Sequence, residues 1–462
     1  MMLKKHKKFA CILTIIILVP FLFVSLAGCS NNTPPADNTP TDEPTAEPTV
    51  EPDTSTPDEE ETNISFTWWG DTKRHEVYNS IVDLFEKENP NIKVDRPFGS
   101  WTEYWDKLAT QIAGGNAPDV IGMHQDYVSE YGPRGSLLDL QSYVDSGVID
   151  LSAVPESVVK GGYINGKLMM VAQGVVTSGF FYNTATFDEL GVAYPDMDWT
   201  WEDFAAKLAE IKAAADSKGI EMWGGGDDSG SMIPAFHYWI RSNGQTLFTE
   251  DGNIGFTEDV VASWFTFYKD LRDKGLIPDA ATSVEYTGLP LEQNLFNTGK
   301  TALTIVPANQ VWLYQNQVTN GGDINVIRIP HLEGKADGEY VEGSFLSVTS
   351  ASENPEAAAK LISFFINNTE SQKIFKLEQG VPPTTTAIDA ITPELTPPQV
   401  RTIDFVQDTL AIAGNAPYAP TGVAEIRSRL TEIGQLVGFG ESTPEEAAAE
   451  FMATCQEVLS RN

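Results

Sequence analysis

The pattern of apolar and polar positions from Asn63 onward alternates between the repeat of a strand and the repeat of a helix. Residues 64–68 alternate and are rich in β-branched and aromatic residues, which predicts a strand. Apolar residues then recur at helical spacing up to Pro90, and a further helix and strand lead to DVIGM at 119–123. A strand–helix series of this kind predicts a mainly parallel sheet covered by helices, an α/β fold.

The second half of the chain carries helix-start signals of the same quality. Three helices are expected to begin at an N-cap residue followed by an acidic residue or a proline. The three signals are Thr200 with Asp203, Asn354 with Pro355, and Thr443 with Pro444 and Glu446. At 462 residues the chain has room for two or three domains.

The first 62 residues have a different composition. Residues 1–8 hold four lysines, an apolar run follows, and Leu26 to Cys29 read LAGC. This order predicts a signal peptide over 1–28, and the ending resembles the lipobox of bacterial lipoproteins, with Cys29 as the lipidated residue. A transmembrane anchor is the alternative. Residues 29–62 are rich in Pro, Thr, Asp and Glu, which predicts an extended acidic tether.

Charge and cysteine content exclude several kinds of function. The formal net charge is −35, so a nucleic-acid partner is not expected. The chain has three cysteines, and Cys455 alone would remain outside the signal peptide and the lipidation site. Its helical apolar surroundings predict a buried residue. The scattered histidines predict no metal site, and no cofactor is expected.

Several segments together resemble the family 1 extracellular solute-binding proteins of bacterial ABC importers, the group that includes maltose-binding proteins. The segments occur in the family's order between residues 64 and about 383. They are FTWWGD, FEKENPNIKV, YWDKLATQIAGGNAPDVIGM, RGSLLDL, INGKLMMV, FFYNTATFDELGV, DWTWEDF, FNTGKTAL, SASENPEAAAKLISFFIN and EQGVPP.

The resemblance implies a two-lobed, type II periplasmic-binding-protein-like fold with a ligand cleft between the lobes. Lobe one would comprise 63–173 and 308–343, and lobe two 174–307 and 344–462. Three segments would cross between the lobes, near Val171–Phe180, Ile305–Trp312 and Gly343–Ser347. Many relatives carry a proline where this chain has Gln173, so that amide is expected near the ligand.

The implied function is a monomeric, lipid-anchored receptor on the outer face of the cytoplasmic membrane. It would capture a carbohydrate, an oligosaccharide given the abundance of tryptophan, and deliver it to an ABC transporter permease. A secreted glycoside hydrolase and a surface adhesin are the alternatives. A hydrolase would need two carboxylates across a glycosidic bond, and the many acidic residues leave such a pair open.

Aromatic rings and planar polar groups suit the apolar faces and hydroxyl rims of sugars. Ligands of open α/β sheets bind outside the carboxyl ends of the strands, so loops at those ends supply the candidates. In lobe one they are Trp68, Trp69, Arg74, Trp101, Gln125 and Asp126. Elsewhere they are Gln173, Trp223, Asp227, Trp239, Asn309, Trp312, Glu342 and Ser344. Because Trp68 and Trp69 point to opposite faces of one strand, at most one is expected in a one-sided core.

Overall fold

The computed structural model describes residues 61–334, 338–415 and 418–461. The expected signal peptide, the lipidation site Cys29 and the tether up to residue 60 lie outside these ranges. Residues from Glu59 to Asn462 form one compact unit. Within the described ranges, no helix combines the length and apolar character needed to cross a bilayer.

Twelve strands and seventeen α-helices are found among the described residues. The strands are β1 (Thr62–Trp69), β2 (Ile92–Asp95), β3 (Phe98–Gly99), β4 (Val120–His124), β5 (Tyr163–Ile164), β6 (Lys167–Leu168), β7 (Val171–Val176), β8 (Ser178–Asn183), β9 (Trp223–Gly225), β10 (Thr301–Pro307), β11 (Ile324–Ile327) and β12 (Glu342–Val348). The helices up to residue 218 are α1 (Thr72–Glu88), α2 (Trp101–Ala113), α3 (Val128–Tyr131), α4 (Gln141–Asp145), α5 (Glu156–Lys160), α6 (Thr184–Leu190) and α7 (Trp201–Lys218). The later ones are α8 (His237–Ser242), α9 (Glu258–Asp273), α10 (Ala280–Tyr286), α11 (Val311–Gln315), α12 (Pro355–Asn367), α13 (Thr369–Phe375), α14 (Thr385–Ile391), α15 (Pro397–Leu410), α16 (Val423–Phe439) and α17 (Pro444–Ser460).

The first sheet has the order β2-β1-β4-β12-β7, with β3 also paired to β1. β1 runs parallel to β2, β3 and β4, as the strand–helix series predicts, whereas β12 runs antiparallel to β4 and β7. Parallel sheets are covered on both faces. Trp68 and Trp69 are therefore both buried, on opposite faces of β1 and in different apolar clusters, because the core is two-sided and not one-sided.

The second sheet has the order β11-β8-β10-β9. β8 runs antiparallel to both β10 and β11, and β10 runs parallel to β9. Helices α7, α9, α16 and α17 bury their apolar faces in one core on this side of the molecule. A further apolar cluster contains residues of both sheets, among them Tyr104 beside the first sheet and Phe181 in the second.

The chain passes between the two sheets at three places. Thr177 links β7 to β8, the segment after β11 leads to β12, and the segment after α14 leads to α15, which packs on β11. The first place agrees with the expected crossing. The second crossing expected at Ile305–Trp312 is wrong, because the chain after β10 stays beside the second sheet.

The expected lobe boundaries must be corrected for the same reason. β11 belongs to the second sheet and β12 to the first, the reverse of the assignment of 308–343 and 344–462. β11 has three apolar residues in four and β12 has three in seven, and neither composition tells which sheet the strand joins.

The predicted helix starts are mostly confirmed. Capping boxes are present at Thr200 with Asp203 and at Thr443 with Glu446. Pro355 is the first residue of α12, but Asn354 makes no side-chain cap bond. Its Nδ2 instead donates to the carbonyl oxygen of Asn63 at 3.1 Å. Cys455 is fully buried, as its surroundings predict, and burial raises the pKa of its thiol to about 12.

Candidate functional site

An aromatic cluster lies at the carboxyl ends of β1, β3 and β4. Its members, Trp69, Trp101, Tyr104, Trp105 and Tyr127, pack against one another with ring centroids 3.8 to 5.6 Å apart. The three strands are parallel, so the residues that follow them meet at one edge of the sheet. Most of the rings are buried, but Trp101 is 40% exposed. The cluster thus presents one indole to solvent on a rigid aromatic support.

An ion pair next to this cluster joins the two halves of the molecule. Asp126 follows β4 of the first sheet, and Arg427 lies on α16, which packs beside the second sheet. Arg427 Nη2 donates to Asp126 Oδ2 at 3.2 Å. The backbone N–H of Asp126 donates to His124 Nδ1 at 3.2 Å, which fixes the turn that carries the carboxylate. Burial lowers the pKa of His124, so its ring is neutral at pH 7.

Two cavities that share wall residues lie between the halves, and together we call them the cleft. A recess of about 40 Å³ is lined on one side by Gln125, Asp126 and Gly161. Its other wall comes from the second sheet's side and consists of Ile233, His237, Leu247, Phe248, Tyr340, Val341, Asn415, Tyr418 and Ala419. A wider cavity of about 900 Å³ shares Gly161, Asn415 and Tyr418 with the recess and continues between residues 160–166 and 250–253.

Glu342 lies where the chain enters the first sheet from the second. It is 8% exposed, and Ser178 Oγ, on the other side of the β7–β8 crossing, donates to its Oε2 at 3.2 Å. Burial raises the pKa of its carboxyl to about 7, and the charge of Asp126 adds to the shift. Glu342 therefore lies at a crossing between the two sheets, where it was expected.

Glu342 is expected to make folding stability depend on pH. Its carboxyl has a pKa of about 7 in the folded state against 4.5 in its ordinary state, so folding takes up a proton between these values. Its stabilising contribution is full below about pH 4.5 and is lost as the pH rises through 7. Glu342→Gln should therefore raise the melting temperature at pH 8 by the equivalent of up to about 3 kcal/mol, and the gain should vanish near pH 4.5.

The control for this prediction is Glu285→Gln, which changes an exposed glutamate of α10. Melting temperatures of both variants and of the unmodified protein between pH 4.5 and 8 give the comparison. A Glu342→Gln curve parallel to that of the unmodified protein would contradict the assignment.

Lys73 and Trp312 make a second contact between the halves. Lys73, in the first turn of α1, places its Nζ 6.0 Å from the ring centroid of Trp312, in α11. Asn309 lies in the short turn that precedes α11 and is half-buried. The structure thus brings Trp312 toward the loop after β1, whereas Asn309 has no contact described with the first sheet's side.

Gln173 and Ser344 do not face the cleft but belong to a closed ring of four hydrogen bonds. The Tyr78 hydroxyl donates to Gln173 Oε1 at 2.8 Å, and Gln173 Nε2 donates to Ser344 Oγ at 2.7 Å. Ser344 Oγ donates to Gln379 Oε1 at 2.8 Å, and Gln379 Nε2 donates to the Tyr78 hydroxyl at 2.5 Å. Since each of the four side chains both donates and accepts within the ring, the expectation that Gln173 contacts a ligand is corrected.

Three residues that were expected to bind the ligand from the second sheet's side contact other parts of the protein or lie on an edge strand instead. Trp239 is 6% exposed, and its indole N–H donates to Ser263 Oγ at 3.2 Å. Asp227 forms an ion pair with Arg272 in which both side chains are 6% exposed. Trp223 is half-buried on the edge strand β9. Among the described residues, none of the three lines either cavity of the cleft.

Two residues that were expected to bind the ligand from the first sheet's side also contact other protein groups instead. Trp68 is fully buried, and its ring lies 4.8 Å from that of Tyr78. Arg74 donates from Nε to Glu378 Oε1 at 2.9 Å, which ties α1 to the segment after α13. The core and this ion pair account for both side chains, so neither is placed in the cleft.

Arg427, the partner of the recess residue Asp126, is a residue that the sequence analysis missed. It occurs in a helix with regular charged positions, and it meets Asp126 across a separation of 301 residues. Tyr340, Asn415 and Tyr418, which line the recess, are in segments without a recognisable pattern. In the described part of the chain, no group of three or more His, Cys, Asp or Glu residues is arranged to hold a metal ion.

Comparisons with known proteins place this architecture in a family. Residues 70–372 match the family model described as bacterial extracellular solute-binding protein. A solved structure of a family 1 extracellular solute-binding protein from Alicyclobacillus acidocaldarius is 27% identical, with a TM-score of 0.74, over 87% of this chain and 99% of that one. An ABC substrate-binding protein from Listeria monocytogenes, solved with cycloalternan, is 25% identical, with a TM-score of 0.70, over 87% and 100%.

A sequence relative is similar over a shorter stretch. The maltooligosaccharide ABC transporter solute-binding lipoprotein of Streptococcus pneumoniae is 23% identical over 327 residues, which is 68% of this chain and 71% of that protein. The two lobes built on the two sheets are the periplasmic-binding-protein-like fold of the solved relatives. The family match covers more than half of the sequence, so this chain belongs to the bacterial extracellular solute-binding protein family, as the order of its segments predicts.

Proposed function

We propose that this protein is a receptor that captures an oligosaccharide in the cleft and delivers it to an ABC transporter permease. The proposal rests on an exposed indole, supported by the aromatic cluster, close to a charged pair whose Asp126 lines the recess. Trp101 offers a flat apolar surface to one face of a sugar ring. Asp126 and Arg427 offer a bidentate acceptor and a fork of donors to its hydroxyls.

The printed names of the relatives favour the same ligand class. The pneumococcal relative is named for maltooligosaccharide, and the Listeria protein was solved with cycloalternan, both carbohydrates of several units. The wider cavity of the cleft, about 900 Å³, has room for more than one sugar ring. We extend this ligand class to the present chain.

The proposal includes the location of the receptor. The pneumococcal relative is a lipoprotein, and LAGC at Leu26–Cys29 fits lipidation of Cys29. The acidic segment up to residue 60 would then hold the folded part away from the membrane surface, as a monomer that can reach its permease.

The expected motion is closure of two lobes over the ligand. We assign 62–176 and 342–391 to the first lobe, and 178–340 and 397–461 to the second, from the sheets and the helices packed on them. The contacts of Asp126 with Arg427 and of Lys73 with Trp312 bridge these lobes. A sugar that inserts its hydroxyls between Asp126 and Arg427 would exchange their direct bond for bonds to the ligand.

A thermal-shift screen of the unit 59–462 against mono- and oligosaccharides tests the proposal, with product analysis of each hit. A ligand that binds only the folded state at 100 times its dissociation constant stabilises it by about 2.7 kcal/mol. A saturable shift with the sugar recovered intact supports the receptor. Cleavage of the sugar would favour a glycoside hydrolase instead, and the absence of a shift with every sugar would reject the proposal.

Trp101→Ala is expected to weaken binding of a sugar hit by about tenfold, because the ring stacking surface is lost. The melting temperature without sugar should also fall, since the indole packs on Trp69, Trp105 and Tyr127, so affinities are compared at a temperature where each variant is folded. Phe439→Ala is the matched control, because it removes an aromatic ring that is 51% exposed at the end of α16. Titration calorimetry of both variants makes the comparison. Equal affinities would exclude Trp101 from the binding surface.

A further inference from the structure

The recess at the bottom of the cleft contains a polar side chain with no described partner. His237 is 5% exposed, and neither of its ring nitrogens has a hydrogen-bond partner among the described residues. Its ring lies 4.0 Å from the ring of Tyr340 in a tilted contact, which packs one face of the imidazole. Buried polar groups in native proteins are nearly always paired, so the two ring nitrogens are open to a partner other than the described residues.

The surroundings of His237 define the size of that partner. The recess has a volume of about 40 Å³, against about 10 to 15 Å³ needed for one water molecule. Ile233, Leu247 and Phe248 supply apolar wall, and Gln125 and Asp126 close it from the first lobe. A complete sugar ring does not fit, whereas one small substituent with an apolar carbon and a polar end does.

The charges around the recess define the character of the partner. Burial lowers the pKa of His237 far below its ordinary value, so the ring is a neutral donor and acceptor at pH 7. Asp126 lines the recess, and Glu342 lies near Asp126 and Tyr340. Arg427 is paired to Asp126. Arg241 lies 5.6 Å from the Tyr340 ring centroid, and its guanidinium donates to the carbonyl oxygens of Gly338, Glu339 and Asn415. A carboxylate entering the recess would meet acidic groups, whereas a hydroxyl can both donate to and accept from the neutral imidazole.

We infer that the recess takes the exocyclic hydroxymethyl group of a hexopyranose unit, with His237 as the residue that recognises its hydroxyl. This inference rests on the proposed function and narrows the ligand class to oligosaccharides of neutral hexoses. Pentose units lack the hydroxymethyl group, and uronic acid units replace it with a carboxylate. Both are therefore discriminated against by the same recess.

The first experiment compares sugars of one linkage that differ at this group. Cellotriose and xylotriose form a β-1,4 pair, maltotriose adds the α-1,4 linkage, and trigalacturonic acid carries the carboxylate. Titrations use the unmodified protein, His237→Phe and His237→Asn. The unmodified protein should bind a hexose trimer at least about tenfold more tightly than the pentose trimer, and His237→Phe should reduce that ratio toward one. His237→Asn should restore part of the ratio, since the amide keeps a donor and an acceptor.

A purely structural histidine gives a different pattern. His237→Phe would then leave the ratio unchanged and alter only the melting temperature, an outcome that overturns the inference. Equal affinity for the hexose and pentose trimers, or a preference for trigalacturonic acid, overturns it too. His331→Phe, a change at a histidine near Asp198 and away from the recess, is the control.

A second measurement keeps the inference testable when a variant does not fold or no trimer binds. A high-resolution crystal structure of the unmodified protein without sugar should show an ordered water molecule in the recess, bonded to a ring nitrogen of His237. A dry recess overturns the inference while the receptor proposal stands. An occupied recess in a protein that binds no sugar at all rejects the receptor proposal instead.

Discussion

Arg272→Met is expected to lower the free energy of unfolding by about 3 to 5 kcal/mol, because it leaves a buried carboxylate without its counter-charge. Arg272 Nη1 lies 2.6 Å from Asp227 Oδ2, and both side chains are 6% exposed. The same nitrogen donates to Ser229 Oγ at 3.2 Å. Burial and the charge of Asp227 raise the pKa of Asp228 to about 7, so two acidic groups share this site with one guanidinium.

Chemical denaturation of the unit 59–462 measures this loss of stability, and two further variants serve as comparisons. Asp227→Asn combined with Arg272→Met removes both charges and should recover much of the loss, since no unpaired charge remains. Arg429→Met removes a partly exposed arginine from its pair with Glu450 and should cost about 1 kcal/mol or less. If Arg272→Met costs no more than Arg429→Met, the buried pair does not stabilise the second lobe.

Gln173→Leu is expected to lower the free energy of unfolding by about 2 to 4 kcal/mol. The change opens the ring of hydrogen bonds, so the Tyr78 hydroxyl loses its acceptor and Ser344 loses a donor in a fully buried site. Each unsatisfied group costs about 1 to 3 kcal/mol. Among the four residues of the ring, Gln173 should show the largest loss of stability when it is replaced. Its amide lies in β7 and links Tyr78 of α1 to Ser344 of β12.

Chemical denaturation of the double variant Gln173→Leu with Tyr78→Phe distinguishes the loss of the hydrogen-bond ring from the loss of side-chain packing. The second change removes the hydroxyl that the first one leaves unpaired, so the double variant should lose less than the two single losses combined. Gln456→Leu, at an exposed position of α17, is the control and should be nearly neutral. Additive losses in the double variant would show that the four groups do not act as one network.

Local signals predicted the helices well, because an N-cap depends on residues within one turn. Thr200 and Thr443 each form a capping box with the acidic residue three positions later in the sequence, and the structure contains both boxes. The assignment of strands to sheets has no comparable local signal. The sequences of β11 and β12 contain no signal for either sheet, and only packing puts one beside β8 and the other beside β4.

The candidate site was predicted where strand ends determine it and not where distant segments meet. Trp101 and Asp126 follow parallel strands, and the strand-end rule predicts both at one edge of the sheet; Asp126 lines the recess and Trp101 is 40% exposed in the neighbouring aromatic cluster. Arg427 reaches Asp126 from α16, and Asp227 is neutralised by an arginine 45 residues away. Polar residue type alone does not distinguish a ligand group from a buried ion pair, so Asp227 and Gln173 were assigned to the wrong surroundings.

A crystal structure of the protein with a sugar hit would show whether the sugar binds between the two lobes. We expect a sugar ring against Trp101 with hydroxyls bonded to Asp126 and Arg427. The direct bond between those two side chains should then be replaced by bonds to the ligand. A sugar bound outside the cleft, with the Asp126–Arg427 pair intact, would show that the cleft is not the binding site.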